Sequence, residues 1–270
     1  MVSRRKTGPR SLGQNFLVDQ NIIDVIARLA ALNADDVVLE VGGGEGILTR
    51  RLVADTGFVH LIEVDRGLAD GLSAALADRG VLHVADAASY DMGSLDPAPT
   101  KMVANLPYGV GATVVLKTVF ETGIDEWVVM LQKEVGERFA ASVGSPAYGV
   151  PSVLAQLVCD VKVLRQISRN VFRPVPNVDS VLLGLRRRTD FEFSPAEASR
   201  GSSREIRKLV QDSFAHRRKA LAKSVSLVRG DNGVRDRLRE SLVELGFPDD
   251  ARAERLAPED YVALVDRLAG

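Results

Sequence analysis

The chain has 270 residues, of which 46% are hydrophobic and 26% charged, with a formal net charge of −1. That composition fits a soluble globular protein with one large domain and a smaller one. No run approaches the roughly 18 apolar residues of a membrane span, the single Cys159 excludes an internal disulfide, and His60, His83 and His216 lack metal-ligand spacing. Membrane function and zinc or iron chemistry are therefore disfavoured, and a reducing, cytoplasmic setting is expected.

Residues 1–10 carry Arg4, Arg5, Lys6 and Arg10 with no acid and no apolar stretch behind them. This predicts a flexible basic tail rather than a secretory signal. Ser11-Leu-Gly-Gln-Asn-Phe-Leu17 follows, and Asp19 is placed to cap a helix whose apolar positions include Ile22, Ile23 and Ile26. Val37-Val-Leu-Glu-Val41 reads as a buried strand running into Gly42-Gly-Gly-Glu-Gly46 and then a helical Ile47-Leu-Thr-Arg-Arg-Leu-Val. Strand, glycine turn and helix make the first unit of a doubly wound α/β fold. A second strand, Phe58 to Ile62, ends at Glu63, 21 positions after Gly42. That is close to the spacing at which a carboxylate takes a ribose hydroxyl pair.

The turn narrows the ligand. It lacks the Gly-Lys-Ser/Thr of a phosphate-gripping loop, and Ile47 stands where a dinucleotide site needs its last glycine. Glu40 before the turn repels a pyrophosphate but suits a cationic group. Adenosylmethionine, with an ammonium, a sulfonium and no phosphate, matches Glu40, Gly42, Gly44 and Glu63 together.

A helix with Leu68, Leu72 and Leu76 on one stripe comes next, then a strand Val81 to Ala85 ending at Asp86, which is placed to accept from an adenine amino group or to cap a helix. The run Lys101-Met-Val-Ala-Asn-Leu-Pro-Tyr108 reads as a fourth strand breaking at Pro107, which cannot donate to the ladder. It presents Asn105, the Leu106 carbonyl and Tyr108 at a strand's carboxyl end, where open α/β sheets bind ligands. The Asn105 side-chain oxygen and the carbonyl are acceptors for a planar exocyclic amine, and the ring is a face for a base to stack on. A helix Gly111 to Glu121, a strand Glu126 to Leu131 and a helix Gln132 to Ser142 follow, then strands Val153 to Leu164 and Val178 to Leu185. Between the last two, Phe172 stands before two prolines, either tucked into the core or forming a second stacking wall opposite Tyr108.

Residues 189–201 are polar and aperiodic, which predicts a linker between a domain of residues 1–188 and a helical domain of residues 202–270. Ser202-Ser-Arg-Glu205 matches a capping box, with further helices near 234–245 and 258–268. From Arg200 to Arg229, nine basic residues stand against two acidic ones, a net of +7. Arg207, Lys208, Arg217, Arg218, Lys219 and Lys223 are the candidates for contact with an RNA backbone.

Assembled, these stretches resemble the small-subunit ribosomal RNA adenine dimethyltransferases. The resemblance rests on Gly13-Gln-Asn-Phe-Leu17, Leu39-Glu-Val-Gly-Gly-Gly-Glu-Gly46, Asn105-Leu-Pro-Tyr108, Leu131-Gln-Lys-Glu-Val135, Phe172-Arg-Pro-Val-Pro-Asn-Val-Asp-Ser180, Phe214-Ala-His-Arg-Arg-Lys219 and Arg252-Ala-Glu254, in that order. It implies an α/β fold, a doubly wound, mostly parallel seven-stranded sheet of class I methyltransferase (Rossmann-like) type, with a smaller C-terminal all-α domain. It also implies S-adenosyl-L-methionine as methyl donor, with Asn15, Leu17, Gly42, Glu63, Asp86 and Asn105 as contacts. The implied substrate is two adjacent adenines in the 3′-terminal hairpin of the RNA within a pre-30S particle, acted on by a monomer without metal. Three positions depart from the family's usual residues: Gly43 for proline, Gly109 for asparagine and Asn177 for lysine. The alternatives are a large-subunit methyltransferase of the macrolide-resistance type and a non-catalytic RNA-binding ribosome assembly factor.

Overall fold

A seven-stranded sheet with helices packed on it carries the larger part of the chain. The structure is a computed structural model and describes residues 14–189 and 202–269. The basic tail of residues 1–10 and the expected linker from residue 190 onward lie outside the described residues, as do the side chains of Ser202 and Ser203 in the expected capping box.

The elements are β1 (Phe16–Leu17), α1 (Gln20–Leu29), β2 (Val37–Val41), α2 (Ile47–Asp55), β3 (Phe58–Glu63), α3 (Ala69–Leu76), β4 (Gly80–Val84), β5 (Lys101–Asn105), α4 (Gly111–Glu121), β6 (Glu126–Gln132), α5 (Lys133–Phe139), α6 (Val150–Val158), β7 (Cys159–Ile167), β8 (Phe172–Arg173) and β9 (Ser180–Arg187). Four helices follow: α7 (Ser202–Phe214), α8 (Leu221–Arg229), α9 (Asn232–Glu244) and α10 (Pro258–Ala269).

The sheet order is β4-β3-β2-β5-β6-β9-β7. Strands β2 to β6 pair in parallel, and β9 runs antiparallel to β6 with Trp127 opposite Leu185. The chain winds outward from β2 to β4 and then restarts at β5 on β2's other side, so the switch point lies between β2 and β5. A crevice opens there, beyond the strands' carboxyl ends. The continuous apolar runs of β2, β5 and β6 follow from burial on both faces: Val38, Leu39, Met102, Val103, Trp127 and Val129 are all buried. Asp19 caps α1 as its sequence predicts, accepting from the Asn21 N–H at 2.8 Å, and Ile23 and Ile26 enter the core. A two-stranded antiparallel pair joins β1 to β8, with Phe16 opposite Arg173 and Leu17 opposite Phe172.

Beside the sheet's outer edge, His60 of β3, His83 of β4 and Tyr90 form a hydrogen-bonded row. His60 Nε2 donates to the Pro97 carbonyl at 2.8 Å, which leaves its Nδ1 to accept from His83 Nε2 at 3.2 Å; His83 Nδ1 then accepts from the Tyr90 hydroxyl at 2.9 Å. These directions are those of two neutral imidazoles, the form that burial favours at both rings.

One expected strand is corrected. Val153 to Leu164 is not a single strand: the chain is helical to Val158 and extended only from Cys159. Gly149 and Ser152 start that helix, the Gly149 N–H donating to Ser152 Oγ at 3.0 Å, and Pro151 sits in its first turn. A separate helix, α8, also occupies 221–229, which the sequence reading left inside a basic stretch.

The chain forms two compact units: one runs up to Gly136 and includes Lys162–Arg187, and the other joins Glu137–Val161 to the residues from Arg188 onward. The second unit therefore takes α6 from the middle of the sequence. Its core is aromatic, with Phe214 between Tyr148 at 6.2 Å and Tyr261 at 6.5 Å, centroid to centroid. The Tyr148 hydroxyl donates to the Leu256 carbonyl and that of Tyr261 to the Ala253 carbonyl. No helix among the described residues is long and apolar enough to cross a membrane.

Candidate functional site

The crevice at the switch point is a cavity of about 450 Å³, within the range of small-molecule sites. Its floor is the glycine turn. Gly42 has φ +80°, and a Cβ there would lie 3.0 Å from the Pro107 ring, so this position needs glycine both for its backbone and for the approach of the Asn105–Tyr108 turn. Gly44, with φ +54°, lies under the Phe16 ring, where a Cβ would meet it at 3.0 Å. At Gly43, Leu61 and Leu72 fill the space that a side chain would take.

Two carboxylates face this floor. Glu63, at the end of β3, is held at both oxygens by backbone, accepting from Gly44 N–H at 3.3 Å and from Asp65 N–H at 2.9 Å. Glu40, at the end of β2, is fully buried and lines the cavity, and its Oε2 has no hydrogen-bond partner. Burial pushes its pKa up to about 8, opposed by the neighbouring Thr49 hydroxyl and reinforced by the charge of Glu63. A buried carboxyl with an unmet oxygen facing a cavity fits a ligand that brings a cation. Asp86, after β4, lies at the cavity's edge; its Oδ1 accepts from the Ala88 N–H at 2.9 Å, so it serves as a turn cap as well as a lining residue.

The roof comes from the N-terminal segment. Asn15 and Leu17 line the cavity, held there by the β1–β8 pair and by a bond from Val18 N–H to the Val171 carbonyl at 3.0 Å. Gln14 and Phe16 also line it, and Gln14 Nε2 donates to Asp65 Oδ2 at 3.4 Å. The sequence quotes both residues in a motif without giving them roles; their signal was adjacency to Asn15.

At the other rim stand Asn105, Leu106 and Tyr108. The Leu106 N–H is taken by the Met130 carbonyl and the Pro107 carbonyl accepts from Val110 and Gly111, which fixes the turn. Among the described residues, none donates to the Asn105 side chain or to the Leu106 carbonyl. The half-buried Tyr108 is anchored through its hydroxyl, 2.9 Å from Ser180 Oγ. Burial raises its pKa; Ser180 opposes the shift and Asp179 adds to it.

Phe172 is corrected. It is fully buried, packed in the same core cluster as its cross-strand partner Leu17, and is not among the residues that line the cavity. It holds the roof in place and offers no face opposite Tyr108.

The basic candidates all lie in the helical unit. Lys208 is exposed on α7, and Arg218 and Lys219 are exposed in the α7–α8 turn; Arg207 and Lys223 are half-buried. Arg217 is employed structurally: its guanidinium donates to the Tyr148 carbonyl at 2.8 Å and to the Pro146 carbonyl at 3.1 Å, and lies 6.0 Å from the Phe214 ring centroid. Arg229 is paired with Asp212 at 2.6 Å.

A family model described as ribosomal RNA adenine dimethylase matches residues 5–269. Ribosomal RNA small subunit methyltransferase A of Rubrobacter xylanophilus is 39% identical over 99% of this chain and 98% of its own length. Among solved structures, a dimethyladenosine transferase from Plasmodium falciparum superposes with a TM-score of 0.75 at 23% identity, covering 92% of this chain and 95% of that one. The 23S rRNA methyltransferase ErmE superposes at 0.67 and 27% identity, covering 95% and 100%. At 23% identity the first likeness speaks to the fold alone.

Proposed function

The chain belongs to the ribosomal RNA adenine dimethylases, and from that premise we propose that Asn105, Leu106 and Tyr108 hold the target adenine while the glycine turn, Glu40, Glu63 and Asp86 hold S-adenosyl-L-methionine. The protein is a small-subunit ribosomal RNA adenine-N6,N6-dimethyltransferase. The carrying observation for the site is the rim of the crevice, where two acceptors without a described donor, the Asn105 amide and the Leu106 carbonyl, stand beside an anchored aromatic ring.

When bound, adenosylmethionine supplies a methyl group on a cationic sulfur, which leaves with the bonding pair as a neutral thioether. The unmet oxygen of Glu40 would take its ammonium, and Glu63 would take its ribose hydroxyls. The adenine amine's lone pair is delocalised into the ring, so it needs placement more than deprotonation. Asn105 Oδ1 and the Leu106 carbonyl accept its two N–H groups and aim the nitrogen at the methyl carbon. Tyr108 carries the base once it is drawn out of its stack. No strong base is needed, since the alkylated amine is acidic and loses its proton to water.

Lys208, Arg218 and Lys219 contact the RNA backbone in this reading, with Arg207 and Lys223 beside them. The setting is cytoplasmic, the substrate is a pre-30S particle, the working form is a monomer and no metal takes part. The similarity to ErmE favours the large-subunit alternative less than the 39% identity to the small-subunit enzyme favours this one.

The test is labelled methyl transfer to unmethylated small-subunit particles and, in parallel, to large-subunit RNA. Label confined to two adjacent adenines of the small-subunit RNA supports the reading, and label in the large-subunit RNA alone overturns it. In the same assay Asn105→Ala should lower the single-turnover rate by ~10²-fold or more with RNA binding retained, as for a positioned polar group in a transition state. A wild-type rate at saturating cofactor would make the turn merely structural.

A further inference from the structure

Tyr108 is held at both ends. Its Cα belongs to the fixed turn after β5, and its hydroxyl meets Ser180 Oγ at 2.9 Å. Ser180 is fully buried and opens β9, opposite Gln132 of β6. Its neighbour is immobilised too: the Asp179 carbonyl accepts from Lys133 N–H at 2.9 Å, and Asp179 Oδ1 accepts from Arg169 N–H at 3.0 Å. A ring attached only at Cβ can swing about its Cα–Cβ bond, whereas a bond at the para hydroxyl fixes the direction of the ring's long axis and so where the ring stands. Ser180 does not line the cavity, so it acts on a ligand through Tyr108.

We infer that Ser180 is a positioning residue that holds the Tyr108 ring in its place at the rim and thereby carries the reaction past monomethyladenine to dimethyladenine. The inference rests on the reading of Tyr108 as the stacking face. For the first transfer the amine offers two N–H groups, one to Asn105 Oδ1 and one to the Leu106 carbonyl, and these alone orient the base in its own plane. After that transfer one N–H remains and a methyl group occupies the other place. Placement for the second transfer then depends more heavily on where the stacking ring is held. In each round the N6 lone pair forms the new C–N bond, the C–S pair stays on sulfur and one proton leaves N6 for water; two molecules of methyl donor are consumed.

The experiment uses the full chain on unmethylated small-subunit particles, with nucleosides separated after digestion. It reads the ratio of mono- to dimethyladenosine at equal total methylation, which the fraction of active protein does not affect. Ser180→Ala and Tyr108→Phe remove the same bond from opposite sides, and only the first touches β9. Each should raise the ratio roughly three- to tenfold, the range that one net hydrogen bond commands. The double variant should go no further than either single one, and cofactor affinity should be unchanged. A wild-type ratio in Tyr108→Phe, or effects that multiply in the double variant, would overturn the role of Ser180. A Tyr108→Ala variant with wild-type rate and ratio would instead remove the stacking reading itself, so the two failures are distinguishable.

Discussion

Glu40→Gln tests how the site is prepared for a cation. Glu40 is completely buried with an ordinary value of 4.5 raised to about 8, chiefly by burial. Between those two values the folded chain keeps a proton that the unfolded chain has released. Stability therefore falls as pH rises across that window, by on the order of 3 kcal/mol between pH 5 and pH 8. Glutamine has nearly the same shape and does not titrate, so it removes this loss. The cofactor-free variant should match wild type near pH 5 and gain on it steadily toward pH 8. Urea midpoints followed by Trp127 fluorescence report the unit that contains the site, since Trp127 is buried in β6. The same substitution should weaken adenosylmethionine by ~1–3 kcal/mol, as for a lost charge-assisted bond. In the wild type, cofactor binding at pH 7 should release a proton, so its calorimetric enthalpy should vary with the ionisation enthalpy of the buffer. Parallel pH–stability curves for the two proteins, together with a buffer-independent enthalpy, would refute the assignment.

The row of His60, His83 and Tyr90 makes the fold acid-sensitive. Both histidines are held below 6.5, mainly by burial; the Pro97 bond and Asp96 oppose this at His60, and the neighbouring His60 adds to it at His83. The unfolded chain takes up their protons first, so stability should be full above about pH 6.5 and fall as pH drops below it; His83→Gln should flatten that part of the midpoint-against-pH curve. In the basic turn, reversing Arg218 and Lys219 to Glu should cut RNA affinity and reduce the slope of log affinity against log salt by about 2, with folding intact by circular dichroism. Arg217→Ala should instead lower the thermal midpoint of the helical unit, because two backbone carbonyls lose their donor.

The sheet and the floor of the site were legible because their causes are local. Continuous β-branched runs such as Val37–Val41 mark doubly buried strands, and a glycine cluster followed by a helical stripe marks the turn that floors the cavity. Asp19, Glu63 and Asn105 occupy element ends, where a polar residue beside an apolar run has few other uses. The errors fell where a short pattern has two solutions. Val153-Leu-Ala-Gln-Leu-Val158 is apolar on all sides, and such a run suits a buried helix as well as a strand; the start signal in Gly149, Pro151 and Ser152 decides for helix. Phe172 could be core or wall; it is fully buried, packed with residues such as Leu17 more than 150 positions away. Charge density picked out the Arg217–Lys219 turn, but it cannot show that one of the three guanidinium or ammonium groups is occupied by carbonyls of residues 146 and 148. The Ser180 contact with Tyr108 spans 72 positions and carries no local signature.

The β1–β8 pair also constrains when, during synthesis, a binding site can exist. Every floor and rim residue from Glu40 to Tyr108 has been translated well before Phe172 and Arg173, yet the strand pairing of Phe16 and Leu17 beside the cavity needs those later residues. A nascent chain that has emerged as far as α4 holds both carboxylates and the glycine turn but lacks the strand that pairs with its roof. A ligand of the crevice would therefore meet the strand-paired roof only after most of the domain has left the ribosome, and a stall before β8 leaves Phe16 and Leu17 without their strand partner.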